Sequence, residues 1–79
     1  MKAKDCELLN RLDGYTKQQV EDFIEDNIVG RYAERDRSIM KRRIVDGILY
    51  EPLAEEFDLS VRQTKNIIYK RIQQLLKRL

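Results

Sequence analysis

The chain has 79 residues, 42% of them hydrophobic and 38% charged, with a net charge of +2, one cysteine and no histidine. This length allows one small domain with a thin core. The lone Cys6 permits no internal disulfide, and the absence of histidine excludes a Cys–His nucleophilic pair and a Cys/His metal site. The sequence has no apolar stretch as long as a signal-peptide core or a membrane span, so we expect a cytoplasmic protein with no membrane partner and no cofactor.

Two helices are predicted in residues 1–30, which we treat as an N-terminal helical extension. The first covers residues 4–12 and ends at Asp13-Gly14. The second begins with a capping box of Thr16 and Gln19 and runs to about Val29, next to a glycine that can end it. Its apolar stripe consists of Val20, Phe23, Ile24 and Ile28.

The second helix also carries an acidic cluster made of Glu21, Asp22, Glu25 and Asp26. Acid–base chemistry needs a shaped, water-poor pocket and a partner group, which a small helical bundle does not readily offer. We therefore interpret the cluster as a solvated helix face and expect no enzyme.

A third helix is predicted over residues 32–46, with Ile39, Met40 and Ile44 facing inward and Gly47 as its stop. Nowhere in the chain do apolar and polar residues alternate over the length of a strand. The expected fold is therefore all-α, a small bundle of four to five helices and a single compact domain overall.

Residues 50–70 are typical of two helices joined by a tight turn. Pro52 suits a first helical turn, where its missing N–H loses nothing. Asp58 and Leu59 supply a turn residue and an apolar plug, and Ser60 with Gln63 fits a second capping box. This order predicts a helix-turn-helix over about residues 51–76.

The last helix has two distinct faces. The residues expected inside are Val61, Thr64, Ile68, Ile72, Leu75 and Leu79. The polar face presents Arg62, Gln63, Lys65, Asn66 and Tyr69. Arg and Lys side chains can pair with guanine edges and Gln and Asn with adenine, so this face could read bases in a major groove.

From Tyr32 to Leu79 the chain resembles region 4 of the sigma-70 family of bacterial transcription initiation factors, and to a lesser degree LuxR-type output domains. The matching pieces are Glu34–Arg37, Ile39-Met40, Arg43, Asp46-Gly47, Tyr50-Glu51, Leu53-Ala54-Glu55, Leu59-Ser60-Val61 and Lys65. The resemblance implies that residues 31–79 form a four-helix module whose last helix reads promoter DNA.

The chain departs from that family at three positions. Pro52 stands where an acidic or polar residue is usual, Arg42 where an apolar residue is usual, and Thr64 where Val or Ile is usual. Arg42 suggests a different packing of its helix or a basic group turned toward phosphate. The hydroxyl of Thr64 can bond back to a carbonyl one turn earlier. Within these 79 residues we find no segment for the promoter-melting region of that family, so we do not expect a complete initiation factor.

Charge is distributed unevenly along the chain. Residues 60–79 hold six Lys or Arg and no Asp or Glu, whereas residues 1–36 hold six against nine. A basic end of this kind is typical of a surface that faces DNA, although basic residues in a last turn also complement the helix dipole.

We assign base reading to Arg62, Gln63, Lys65 and Asn66. Phosphate contacts are assigned to Arg43, Tyr50, Ser60, Tyr69 and Lys70. For Lys41, Arg42 and Arg43, phosphate contacts and salt bridges with nearby carboxylates remain equal alternatives. Arg71, Lys77 and Arg78, with Lys70, are expected to give diffuse attraction or solubility, and the four tyrosines to be half-buried spacers.

The function expected from these patterns is a transcriptional regulator that binds double-stranded DNA sequence-specifically, as a phage or mobile element often encodes. One alternative is an adaptor or antagonist that binds RNA polymerase. Another is a helical dimerisation module. A possible homodimer surface consists of Ile67, Ile68, Ile72, Leu75, Leu76 and Leu79.

Overall fold

A computed structural model describes the backbone from Lys2 to Leu79 and the side chains from Glu7 onward. The helices are α1 (Lys2–Arg11), α2 (Lys17–Asn27), α3 (Ala33–Ile44), α4 (Tyr50–Glu56) and α5 (Val61–Arg78). Residues 2–79 contain no strand, so the predicted all-α bundle is confirmed. The side chain of Cys6 lies outside the described part.

The predicted helix starts agree with the structure where a capping box marks them. Thr16 caps α2: its hydroxyl accepts the N–H of Gln19 at 3.1 Å, and the Gln19 side chain accepts the N–H of Thr16 at 2.8 Å. Two backbone donors that would otherwise lack partners are thus satisfied by side chains adjacent in sequence.

α2 ends at Asn27, two residues before the predicted end near Val29. Ile28 leaves the helix in an extended conformation and is fully buried, so core packing ends the helix before the glycine does. α3 ends at Ile44, and the chain then reverses at Gly47, whose φ of +70° favours glycine.

The core lies around α5, which packs against each of the other four helices. With 18 residues it is about 27 Å long, close to the longest dimension of the molecule, 31 Å. Its buried apolar residues meet those of both chain halves. This shared core consists of Leu8, Leu12, Ile24, Ile28, Ile39, Met40, Leu53, Ile68, Ile72 and Leu75.

The turn between α4 and α5 directs the start of α5. Asp58 has a left-handed φ of 56°, and the N–H of Leu59 bonds to the carbonyl of Ala54 at 2.9 Å. Leu59 is half-buried against the core, as expected of an apolar plug. Pro52 is the third residue of α4, within its first turn, where no helical N–H bond is lost.

Across the described part of the chain, no helix is both long enough and apolar enough to traverse a lipid bilayer.

Candidate nucleic-acid interface

α5 begins with a complete capping box. The hydroxyl of Ser60 accepts the N–H of Gln63 at 3.0 Å, and the Gln63 side-chain oxygen accepts the N–H of Ser60, also at 3.0 Å. Thr64, fully buried, donates its hydroxyl to the carbonyl of Ser60 at 2.9 Å, which confirms the predicted bond back by one turn. The first turn of α5 is therefore fixed by its own sequence.

The four residues assigned to base reading share an exposed face on the first two turns of α5. All of them are exposed: Arg62, Gln63, Lys65 and Asn66. Gln63 has a double role, because its amide oxygen already completes the cap. The cap fixes the orientation of the Gln63 side chain, whereas the side chains of Arg62 and Asn66 are exposed and take no part in the cap.

Tyr50 brings three helices together beside this face. The guanidinium of Arg43, in α3, lies 4.4 Å from the centroid of the Tyr50 ring, and the ammonium of Lys65 lies 5.4 Å from it. Tyr69 meets the same ring edge-on, with 6.5 Å between centroids. Both cations are held at one aromatic ring by cation–π attraction.

Three residues of the predicted phosphate set take part in this arrangement. Arg43 also donates to the carbonyl of Ile48 at 3.0 Å, which fixes its guanidinium against the loop before α4. Lys70 is exposed, and Tyr69 is half-buried on the same side of α5 as Lys65 and Asn66. The structure thus gathers Arg43, Tyr50 and Tyr69 of this set with Lys65 of the base-reading set. Lys70 lies further along α5, and the Ser60 hydroxyl is engaged in the helix cap.

Leu49 belongs to this neighbourhood and was not predicted from the sequence. It caps α4 without a side-chain hydrogen bond and is 68% exposed. A shallow depression beside it is lined by Leu49, Tyr50, Glu51, Val61 and Lys65. In the sequence, the one indication of this role is that Leu49 lies in the short loop between Gly47 and the start of α4.

Lys41 and Arg42 form salt bridges, which favours that alternative over phosphate contacts for both. Lys41 bonds to Glu25 at 3.0 Å. Arg42 bonds to Glu56 and to Asp46, both at 3.0 Å, and its hydrogen bonds to Glu56 and then to Asp46 raise its pKa above the ordinary value. Arg42 therefore joins α3 to α4 at a position where the sigma-70 resemblance implied an apolar contact.

The expectation that Arg71 supplies only diffuse attraction is wrong. Arg71 is 5% exposed, and its Nε donates to Asp36 at 2.7 Å. Its other N–H groups donate to the carbonyls of Val29 and Arg31 and to the side chain of Gln74. A buried guanidinium needs such a set of acceptors, and α3 and the loop before it provide them.

Most of the apolar surface considered for a homodimer is covered within the chain. Ile68, Ile72 and Leu75 are fully buried, and Ile67, Leu76 and Leu79 pack partly buried against the core. The width of the stripe is therefore explained by α5 packing on all four other helices. Little of it remains for a second copy.

Comparisons with protein-family models, with curated proteins and with solved structures find no match for this chain.

Proposed function

We propose that this chain is a sequence-specific, double-stranded DNA-binding regulator of transcription that inserts the start of α5 into the major groove. The observation that carries the proposal is the exposed polar face on the first two turns of α5, which follows a tightly capped turn and lies on a helix without an acidic residue. Helices presented in this way commonly enter the major groove with their N-terminal residues on base edges.

The contacts divide the face into two roles. Arg62 and Asn66 match the donor and acceptor pairs of guanine and adenine, so we assign base reading to them. Lys65 leans toward Tyr50 at the start of α4, beside Arg43. We therefore move Lys65 from the base-reading set and assign it, with Arg43, to the phosphates that flank the groove, where both fix register without reading sequence.

The resemblance of residues 32–79 to sigma-70 region 4 supports the same docking. It also implies the second candidate, an adaptor that binds RNA polymerase. A module this small makes few base contacts, and tight specific binding would need a second copy or a neighbouring protein on the DNA.

The test is selection from a randomised duplex library at two salt concentrations, followed by sequencing of the bound fraction. We expect an enriched motif and binding that weakens steeply with salt, because phosphate contacts release counterions. The combined variant Arg62→Ala with Asn66→Ala should lose the enrichment, and the control Lys17→Ala with Gln18→Ala, exposed on α2, should keep it.

Absence of enrichment, with only weak salt-sensitive binding, would contradict sequence-specific reading. Purified RNA polymerase would then be the next probe, in a binding assay with the same variants.

A further inference from the structure

A second basic surface lies at the opposite end of α5, where the loop between α2 and α3 meets the last turns of α5. We call it the loop–tail surface, and it consists of Val29, Arg31, Tyr32, Arg35, Lys77 and Arg78. Four of these six side chains are cationic and none is acidic. The proposed DNA-reading face does not include it, since Lys77 lies about 22 Å along the helix axis from Arg62.

Tyr32 is the centre of one part of this surface. It is 58% exposed, against the expectation of a half-buried spacer, and its backbone is left-handed with φ +64°. The guanidiniums of Arg31 and Arg35 lie 5.4 and 4.5 Å from its ring centroid. Two like charges are thus gathered around an exposed aromatic ring, in a backbone conformation that a tyrosine rarely adopts.

The buried Arg71 holds this loop in place. Its guanidinium donates to the carbonyls of Val29 and Arg31, at 3.2 and 3.3 Å. Asp36 is itself buried and accepts from both Arg71 and Arg35. Arg71 therefore attaches the backbone of this loop to α5, while the side chains of Val29, Arg31 and Tyr32 are exposed to solvent.

Val29 adds an apolar element to the other part of the surface. It is 60% exposed and borders a shallow depression formed with Asn27, Gln74, Lys77 and Arg78. Val29 lies beside Lys77 and Arg78, and Tyr32 lies beside two arginines, so the surface is both apolar and basic. A DNA backbone would use the cations but has little to place on Val29.

We propose that the loop–tail surface binds an acidic amphipathic segment of a partner protein. Apolar side chains of that segment would cover Val29 and Tyr32, and its carboxylates would pair with the surrounding Arg and Lys. Arginine binds carboxylates through two parallel hydrogen bonds, and clusters of arginine recognise acidic motifs in this way. The charge and the exposed apolar side chains of the surface both fit this occupant.

The test is a titration of the isotope-labelled full chain, at low salt, with a synthetic amphipathic helical peptide that has glutamates on one face and leucines on the other. The same peptide with glutamines in place of the glutamates is the control ligand. We expect amide shifts at residues 29–35 and 74–78, and no binding of the glutamine peptide at the same concentrations.

Variants assign the binding to this surface. Lys77→Glu with Arg78→Glu should weaken peptide binding by roughly tenfold, since opposing charges are removed and like charges introduced. The matched change Lys65→Glu with Lys70→Glu, on the first half of α5, should leave it within about twofold. Tyr32→Ala should weaken binding more than Tyr32→Phe, which keeps the ring; all variants are checked for a wild-type pattern of dispersed amide signals.

Equal binding of both peptides would overturn the proposal, as would shifts centred on residues 62–66. Shifts at the loop–tail surface with random duplex DNA but not with the acidic peptide would assign it to nucleic acid instead. Shifts that depend on protein concentration alone, with no added effect of the peptide, would assign it to a second copy of the chain.

Discussion

Along the first two turns of α5 the cations of Arg62 and Lys65 are exposed to solvent, whereas Arg71, in the third turn, is buried against Asp36. Both halves of the helix are basic and free of carboxylates. They differ in what surrounds these residues: the first half directly follows the tight turn at Asp58 and Leu59, whereas Arg71 is enclosed by α3 and the loop before it. Cations of one helix therefore have different roles, since Arg62 and Lys65 are available for outside contacts and Arg71 attaches the helix to the rest of the fold.

The largest predicted effect is a loss of unfolding free energy when the buried contact between Arg71 and Asp36 is broken. Arg71→Met leaves Asp36 buried without its main partner, and breaking a buried pair in this way costs about 3–5 kcal/mol of unfolding free energy. Lys70→Met, at the exposed neighbouring position, should change it by less than about 0.5 kcal/mol. Urea denaturation followed by circular dichroism measures both.

Removal of both partners sharpens this prediction. Asp36→Leu combined with Arg71→Met leaves no uncompensated buried charge and should restore much of the stability lost in the single variant. An Arg71→Met protein as stable as the wild type would contradict the role assigned to Arg71.

In the first half, Arg62 and Lys65 should differ in what they contribute to DNA binding. Arg62→Ala should lose about 1–3 kcal/mol of discrimination at one base pair. Lys65→Ala should weaken binding evenly across sequences and lower the slope of log affinity against log salt by about one. Affinities for single-base variants of the selected site test this, and the reverse pattern would refute the division of roles.

The two capping boxes offer a matched pair with a smaller effect. Ser60→Ala and Thr16→Ala each remove one cap hydroxyl and should each cost about 1 kcal/mol of stability. Only Ser60 lies at the proposed interface, so only Ser60→Ala should also weaken DNA binding at a temperature where both variants are folded. Equal DNA affinity of the two variants would argue against an interface at the start of α5.

The smallest effect should come from Thr64, the buried polar residue of the first half. Thr64→Val loses the hydroxyl bond to Ser60, but the carbonyl of Ser60 still accepts the N–H of residue 64 at 3.0 Å. The unfolding free energy should therefore change by less than about 1 kcal/mol. A loss of unfolding free energy as large as that of Arg71→Met would contradict this. It would show that the local bond of Thr64 to Ser60 stabilises the protein as much as the long-range contact of Arg71 with Asp36.

The contrast within α5 also explains which features could be predicted from the sequence. The caps at Thr16 and Ser60 and the stop at Gly47 depend on residues within four positions of each other, and the structure has all three. The apolar spacing that follows each cap gave most of the buried faces of α2 and α5, although Val61 lies outside the core cluster and the buried Arg71 was not among the predicted inside residues.

Features set by distant residues could not be predicted in this way. The contact of Arg71 with Asp36 joins positions 35 residues apart. The spacing of Arg71 from Ile68 and Leu75 places it on the buried side of α5, but no local pattern identifies Asp36 as its partner. The same holds for Tyr50, whose ring collects cations from α3 and α5, and for Ile28, whose burial ends α2 early.

The most direct test of the central claim is an amide-shift map of the labelled full chain during titration with the random duplex pool at low salt. We predict shifts at Tyr50 and over residues 60–70, with residues 29–35 and 74–78 unchanged. Shifts spread evenly over both halves of α5, or confined to its second half, would contradict a DNA-reading face at the start of the helix.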